Sequence, residues 1–488
     1  MTATAIAHDE VRPSGERRTI RLPGSLSLWM LAAGIVAVAL ARIITHNDDI
    51  TSASTFGVAL RTAAPIALAG LGGLYAERSG TVNIGLEGMM VMGTAFAGWW
   101  AWEFNPWMGL LGGVVGGMLG GLVHALATAT FGVNHIVSGF AINIIAPGVA
   151  RFMANLLFDG EQGGSLTNSP GMNGEMGTFT MPLLSGGPLF GLDTTWDPLG
   201  NIAERHWFAV SDVAGLLKAL TTELRFDLVV AVVLFVVSVF VLWRTAFGLR
   251  LRSAGERPSA ADSLGVKVIA YRYIGMAISG GLAGLAGAVL VIGANRYTQG
   301  QTGGRGFLGL ATLVVGNWRP AGVAAGAGLF GFFDGITQRL DPGKLVLAAI
   351  LAAVFLLAGF LAYQLAQQPR SIATTVVVAG AAVVMYALFN VESVRDETLM
   401  LVGVALAVVA LLAVATVVAW RTRTLDAFAV ALGLSVLYVA YLSVDEIRPE
   451  FVFMAPFIVT LIVVASRGQT LRPPARAGIP WRKGSQEG

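Results

Sequence analysis

Long apolar runs alternate with short polar segments along almost the whole chain. Most runs reach about 18 to 22 residues, and a helix of about 20 apolar residues crosses a hydrocarbon core about 30 Å thick. The pattern predicts an all-α polytopic membrane protein with about fourteen crossings, of which the one at 305–317 is short. The predicted spans are residues 25–44, 56–75, 89–104, 107–131, 137–158, 227–244, 270–293, 305–317, 320–338, 344–366, 371–390, 399–419, 424–442 and 449–466.

Charged residues between the runs predict the orientation, because cytoplasmic loops of membrane proteins are enriched in Lys and Arg. The segment 245–269 and the tail 467–488 are basic, and both are assigned to the cytoplasm. The polar segment 1–24 carries arginines just before the first apolar run, which is expected to stay as an anchor. Both termini are therefore predicted to be cytoplasmic, in the inner membrane of a prokaryote. The loops assigned to the outside are acidic on balance: 46–52, 392–397 and 445–450.

Composition agrees with a membrane protein. Of the 488 residues, 55% are hydrophobic and only 12% are charged. A soluble domain needs more charge on its surface, so that class is excluded. The formal net charge of +3 arises mainly from loop residues that set orientation, and no nucleic-acid partner is expected.

Catalytic chemistry has little support in the sequence. The chain has no Cys, and its five His are scattered without metal-ligand spacing, so neither a metal nor a catalytic residue is expected. Residues 304–309 match GxGxxG, but they open an apolar span and lack the surrounding βαβ unit of a dinucleotide site. Gly343 and Lys344 are followed by Leu345, so no Walker-type phosphate loop is present in the sequence. Any ATP and Mg²⁺ would therefore bind to a partner chain.

The loop 159–226 is longer than a connection requires and is rich in Gly, Pro, Asn and Ser. Its acidic residues outnumber its basic ones, which places it outside the cytoplasm. One interpretation is an amphipathic helix at the membrane interface, with Ser211 as its N-cap; a packed surface loop is equally compatible with the sequence. The apolar face of that helix would consist of Val213, Leu216, Leu217, Leu220 and Leu224.

A polar segment, ERSGTVNIGLEG at 77–88, interrupts apolar sequence. Polar groups at membrane depth usually face a cavity or a partner helix, and helices broken by Gly often line substrate sites. We therefore predict that Asn83 and Glu87, together with Asn134 and Asn143, line a translocation cavity. The alternative for the amides is that they tie helices together.

The segment 245–269 is the longest basic stretch inside the chain. Pro258 suits the first position of a helix and Gly265 suits its end, which predicts about two helical turns. Ala260, Ala261 and Leu264 would share one apolar side, flanked by Glu256. A short exposed helix of this kind could dock into a partner groove, and an ordinary charged loop is the alternative.

Four stretches resemble one known family in sequence and order: LYAERSGTVNIGLEGMM, FGVNHIVSGFAIN, FGLRLRSAGERPSAADSLGV and GGRGFLGLATLVVGNWRPAGV. This is the branched-chain amino acid, ribose and nucleoside permease family of ABC importers. The closest resemblance is to the second permease of its nucleoside branch. It extends over about residues 56–338 and resumes near Pro449.

The resemblance implies a type II ABC importer permease core of about ten transmembrane helices within 25–339, completed by a last core helix at 449–466. Residues 340–448 would then be an inserted region of about four helices. The implied partners are a related second permease in a heterodimer, a separate ABC ATPase, an extracytoplasmic substrate-binding lipoprotein and membrane lipid.

The segment 255–265 corresponds in this resemblance to the coupling helix that contacts the ATPase. Arg257 stands where the family usually has Asn. The implied ATPase-coupling residues are Gly255, Glu256, Pro258, Ala260, Ala261, Leu264 and Gly265.

Nucleosides are the expected substrate, although the sugar and branched-chain amino acid branches share the fold. Two hypotheses come from other classes. An ion-coupled secondary transporter would use Glu87 or Asp334 as its coupling carboxylate. A structural or receptor-like membrane subunit would need no coupling helix.

Overall fold

A computed structural model describes Ala39, Arg42 and residues 48–187, 196–207, 209–339 and 472–481. The predicted inserted region at 340–448 and the predicted last core helix at 449–466 lie outside these described residues, as does most of the first predicted span. The statements made about them from the sequence stay predictions.

The described part is mainly helical, and its helices follow the apolar runs. A 3₁₀ turn at Asp48–Thr51 precedes the first long helix, and a π turn at Leu126–Thr130 extends α3. Two short strands, β1 (Thr178–Phe179) and β2 (Leu224–Arg225), pair antiparallel. In chain order the helices are α1 (Ala53–Arg78), α2 (Leu86–Glu103), α3 (Pro106–Ala125), α4 (His135–Leu157), α5 (Pro182–Ser185), α6 (Pro198–Ala203), α7 (Val210–Ala219), α8 (Phe226–Arg244), α9 (Ala246–Glu256), α10 (Pro258–Ser263), α11 (Val268–Ala294), α12 (Arg305–Val315) and α13 (Pro320–Arg339).

Five helices among the described residues are long and apolar enough to cross a membrane. They are α1, α3 with its π turn, α4, α8 and α11. Helix α12 has only 11 residues, which agrees with the short span predicted there. The chain is thus a multi-pass membrane protein with a helical core.

Helix α3 packs between two neighbours through two rows of glycine. On one row, a Cβ added to Gly113 would lie 2.8 Å from the carbonyl oxygen of Gly284 in α11. On the other, a Cβ added to Gly116 would lie 2.8 Å from the carbonyl oxygen of Met92 in α2. Small residues allow backbones to approach this closely, and contacts of this kind hold membrane helices together. Two helices therefore flank α3.

Helices α1 and α11 are the most buried of the five, whereas α4 and α8 keep most of their surface open. The open faces are apolar: Ile144 of α4 and Val236 of α8 are exposed. Such faces suit lipid or another membrane subunit.

The segment 165–173 of the long loop is packed onto the ends of α2 and α11. The backbone N–H of Ser169 donates to Tyr297 O at 3.0 Å, and the N–H of Tyr297 donates to Ser169 Oγ at 2.9 Å. Nearby, the N–H of Asn173 donates to Ala101 O at 2.9 Å. Residues 165–173 therefore form a packed surface loop, which is one of the two interpretations given above for the long loop.

A helix forms where the sequence predicts it in this loop, but the predicted N-cap and the predicted place of Leu224 are wrong. Helix α7 follows Ala209 as its N-cap, so Ser211 lies inside the first turn, and Leu224 belongs to β2. Leu217 is exposed, whereas Asp212 is buried. An ion pair explains why Asp212 is buried. Asp212 Oδ1 lies 3.1 Å from Nε of the buried Arg42, and this pair holds the Asp212 side of α7 inward.

The close approach of α3 and α11 predicts a cost for even one methyl group. In Gly284→Ala, the added Cβ would lie 2.8 Å from Gly117 Cα, and we expect a destabilisation of about 1 to 3 kcal/mol from overpacking. Thermal denaturation of the detergent-solubilised protein measures it.

Gly148→Ala in α4 is the matched control, since a Cβ there meets nothing within 4 Å. Equal melting temperatures for the two variants would contradict the close contact.

Candidate functional site

Residues 79–85 break the helical path between α1 and α2. Gly80 has a φ of +95°, which a glycine adopts without strain. The backbone groups released at the break find partners inside the protein, as membrane depth requires. The N–H of Val82 donates to His135 Nδ1 at 3.1 Å, and His124 Nε2 donates to Val82 O at 3.0 Å.

Asn83 connects this break to α11. Its side chain is fully buried, and Nδ2 donates to Ser279 Oγ at 2.9 Å. Its Oδ1 accepts the N–H of Gly85 at 3.0 Å. These contacts match the alternative in which the amide ties helices together. Lining of a translocation cavity by Asn83 stays a prediction.

Asn143 connects the same break to α4. Its Oδ1 accepts the N–H of Gly88 at 2.8 Å, and its Nδ2 donates to Ile84 O at 2.9 Å. Asn134 does not join this group. It is exposed and caps the N-terminus of α4, where its Oδ1 accepts the N–H of Ile136 at 2.9 Å.

Glu87 holds the N-terminus of α12. Its Oε1 accepts the N–H of Gly304 at 3.1 Å, and its Oε2 accepts the N–H of Gly306 at 2.7 Å. Free N–H groups at a helix start favour a carboxylate. A Cβ on Gly306 would lie 2.5 Å from Glu87 Cα, so a glycine is needed for this approach. The backbone N–H groups of the GxGxxG stretch thus bind a carboxylate of the same chain.

Asp334, the second candidate for an ion-coupling carboxylate, pairs with Arg305. Arg305 Nη2 lies 2.6 Å from Asp334 Oδ2, and the pair joins α12 to α13. Sequence reasoning missed Arg305, whose only signal was its place between two glycines. Both candidate carboxylates therefore have structural partners at the start of α12.

Two histidines, His124 and His135, lie close together at the break, although their spacing in the sequence did not suggest a common site. The rings of His124 and His135 lie 6.4 Å apart between centroids, and both are buried. His124 Nδ1 also lies 2.9 Å from Ser138 Oγ. The described residues contain no cluster of three or more groups that could hold a metal.

Residues 255–265, here called the coupling segment, contain a short helix, α10, as predicted. Pro258 is the first residue of α10, and Gly265 follows the helix with a φ of +84°. The helix has six residues, close to the two turns predicted. Leu264 is 85% exposed at its end, and Ala260 is exposed as well.

The predicted apolar side is wrong for Ala261. It is buried and packs with Ala254, Val268 and Trp481, whereas Ala260 and Leu264 face outward. Trp481 lies in the tail, far along the sequence, so the local pattern gave no sign of this contact. The exposed edge of α10 therefore excludes Ala261.

Gly255 and Glu256 attach the coupling segment to the end of α1. Arg78 Nη1 lies 3.3 Å from Glu256 Oε1. A Cβ on Gly255 would lie 2.8 Å from the backbone nitrogen of Gly80, so the two backbones nearly touch. The coupling segment thus rests directly on the helix break.

Glu87→Gln tests the contact between Glu87 and α12. The amide keeps one acceptor but places an NH₂ group against a backbone N–H. We expect the free energy of unfolding to fall by about 1.5 to 3 kcal/mol, which is the typical contribution of a hydrogen bond to a charged group. Thermal denaturation in detergent measures the change.

Glu103→Gln, an exposed position at the other end of α2, is the control and should melt like the wild type. If Glu87→Gln also melted like the wild type, the carboxylate would not hold α12.

Three proteins with similar sequences are all named as ABC transporter permeases. The chain is 32% identical over 281 residues to the nucleoside ABC transporter permease protein NupC of Lactococcus lactis, covering 56% of this chain and 78% of NupC. It is 35% identical over 283 residues to the guanosine ABC transporter permease protein NupQ of Bacillus subtilis, covering 56% and 79%. It is 31% identical over 359 residues to the putative glucose ABC transporter permease protein TsgC13 of Haloferax volcanii, covering 70% and 94%.

No solved structure matches the chain. Residues 55–358, more than half of the chain, match the family described as branched-chain amino acid transport system / permease component. This match confirms the resemblance seen in the four sequence stretches. The chain therefore belongs to this family of transport permeases, whose members are membrane transport subunits and not catalytic enzymes.

Proposed function

We propose that this chain is the permease subunit of an ATP-binding cassette importer for nucleosides. One observation carries the proposal: two relatives above 30% identity, each covered over more than three quarters of its length, are named for nucleoside or guanosine transport. The chain would supply half of the translocation pathway, and a related second permease would supply the other half. ATP and Mg²⁺ would bind to a separate ABC ATPase.

The proposed cycle is alternating access, in which ATP-driven movement of the ATPase reaches the permease through α10. The exposed edge around Ala260 and Leu264 is the surface for that contact. An extracytoplasmic lipoprotein would deliver the substrate and hold it tightly. The permease cavity needs only weak contacts, because the substrate must leave it again.

The contacts inside the chain support a short route from α10 to the membrane core. Glu256 pairs with Arg78 at the end of α1, beside the break. At the break, Asn83 is hydrogen-bonded to α11, and Asn143 of α4 accepts a backbone N–H. Glu87, just after the break, accepts a backbone N–H at the start of α12. A movement of the coupling segment would therefore reach four helices through directly bonded groups.

The orientation is part of the proposal. We place both termini in the cytoplasm and the membrane as the inner membrane of a prokaryote. Tail residues 472–481 contact Gly255 and Glu256, which supports a common side for the tail and the coupling segment. An insertion of about four helices at 340–448 is consistent with that side, because an even number of spans returns the chain to it.

A sugar importer is the second candidate. It is favoured by the relative named as a putative glucose permease, which this chain covers over 94% of its length. An ion-coupled transporter has less support, because the carboxylates of Glu87 and Asp334 are already engaged with α12 and Arg305.

Substrate and energy source can be tested together. The chain is expressed with its ATPase, second permease and binding lipoprotein in a host without nucleoside uptake. We expect labelled guanosine to accumulate only with an active ATPase. Excess unlabelled nucleoside should compete, whereas excess glucose or leucine should not. Competition by glucose, or uptake that persists with an ATPase unable to hydrolyse ATP, would overturn the proposal.

Leu264→Arg tests the coupling edge. A charged side chain at the centre of an apolar contact should lower ATP-driven uptake and the amount of ATPase that co-purifies by at least about tenfold, equivalent to 1.4 kcal/mol. Leu264→Met, which keeps size and apolar character, should behave like the wild type.

Ala261→Arg should act differently, because it places a charge in a buried cluster and should lower the melting temperature of the chain itself.

Wild-type uptake and wild-type co-purification of the ATPase in Leu264→Arg would show that this edge does not contact the ATPase.

A further inference from the structure

The tail residues 472–481, here called the tail strap, cross the end of the protein that we place in the cytoplasm, and their backbone groups bind three separate elements. The elements are the α12–α13 turn, the α9–α10 junction and the α1–α2 break. The donors and acceptors are Arg472 N to Asn317 Oδ1 at 2.8 Å, Ala475 N to Glu256 Oε2 at 3.1 Å, Arg476 N to Gly255 O at 3.0 Å and Gly478 N to Gly80 O at 3.1 Å.

The described strap ends at Trp481, which packs beneath the coupling helix. Its partners are Ala254 of α9, Ala261 of α10 and Val268 of α11. A helix of six residues is too short to be stable alone, so its position depends on what it packs against. Ala261 is the buried apolar residue by which α10 joins this cluster, and Trp481 and Tyr271 are the two large side chains there.

The strap also provides an acceptor for a buried cation. Arg272 is only 1% exposed, one turn into α11. Its Nη1 donates to the carbonyl oxygen of Ile479 at 3.2 Å. Burying a guanidinium without an acceptor is costly, so this bond favours keeping the strap in place.

The α12–α13 turn, at the other end of the strap, is itself fixed to α1. Asn317 and Trp318 both have φ values above +50°, an unusual pair for residues other than glycine. The indole N–H of Trp318 donates to the carboxylate of Glu77, and Arg78 Nη2 donates to Trp318 O at 2.7 Å. The strap thus connects the coupling helix with a turn that is anchored at the break.

We propose that the tail strap is a positioning element for coupling, which holds α10 against both the α1–α2 break and the α12–α13 turn. Trp481 acts through Ala261 and contacts neither the ATPase nor the substrate. Through the strap, a displacement of α10 moves the break and the start of α13 together. This inference rests on the proposed function, because it assigns the strap a part in ATP-driven transport.

Trp481→Ala in the full chain, purified with its ATPase and second permease, is the test. The measured quantity is nucleoside uptake per ATP hydrolysed, for complexes matched by the amount of ATPase. We expect the complex to assemble and to hydrolyse ATP within about twofold of the wild type, while this ratio falls by about fivefold. Trp481→Phe, which refills the cluster, should restore most of it.

Ile479→Ala is the matched control. Its side chain is 44% exposed and only its backbone carbonyl is used, so uptake per ATP should stay at the wild-type value. Ala475→Pro removes the N–H that binds Glu256 and should lower the ratio by itself.

An unchanged ratio in Trp481→Ala and Ala475→Pro would overturn the inference, whether the amount of assembled complex stays the same or falls. In both cases the strap would serve folding and not coupling. Failure of the proposed function is seen separately, as a wild-type complex without ATP-driven nucleoside uptake.

Discussion

A break in an apolar helix releases backbone N–H and C=O groups, and the bilayer offers them no partner. The region around residues 79–88 is built around this constraint. His135 accepts the N–H of Val82, Asn143 bonds to both Ile84 and Gly88, and Asn83 turns back onto Gly85. His135 and Asn143 both belong to α4, so satisfying the backbone also fixes α4 beside the break.

The same constraint gives transport a mechanical basis. Glu87 satisfies the first amides of α12, and Glu256 connects the coupling segment to Arg78 where α1 ends. Groups that must remain bonded move together, because separating them at membrane depth is costly. In the proposed function, a displacement of the coupling segment would be carried to the neighbouring helices by hydrogen bonds and an ion pair that already exist in the structure.

Much of this architecture is readable from the sequence where the signal is local. Helix periodicity, the glycine rows of α3 and the start and end of α10 at Pro258 and Gly265 depend only on neighbouring residues. Contacts between distant segments were not readable. Ala261 faces inward because Trp481 lies beneath it, and Asp212 of α7 is buried because it pairs with Arg42. The N–H groups of Gly304 and Gly306 bind Glu87, more than 200 residues earlier, and Gly306 also leaves room for its backbone.

The central claim is that an ATPase on a separate chain drives this permease. Gentle detergent extraction of the tagged wild-type chain from its native membrane, followed by identification of the proteins that co-purify, tests it most directly. We predict an ABC ATPase and a second, related permease in stoichiometric amounts, with ATP hydrolysis in the purified complex. A chain that purifies without an ATPase, and that alone accumulates nucleoside in proteoliposomes under an ion gradient, would contradict the claim.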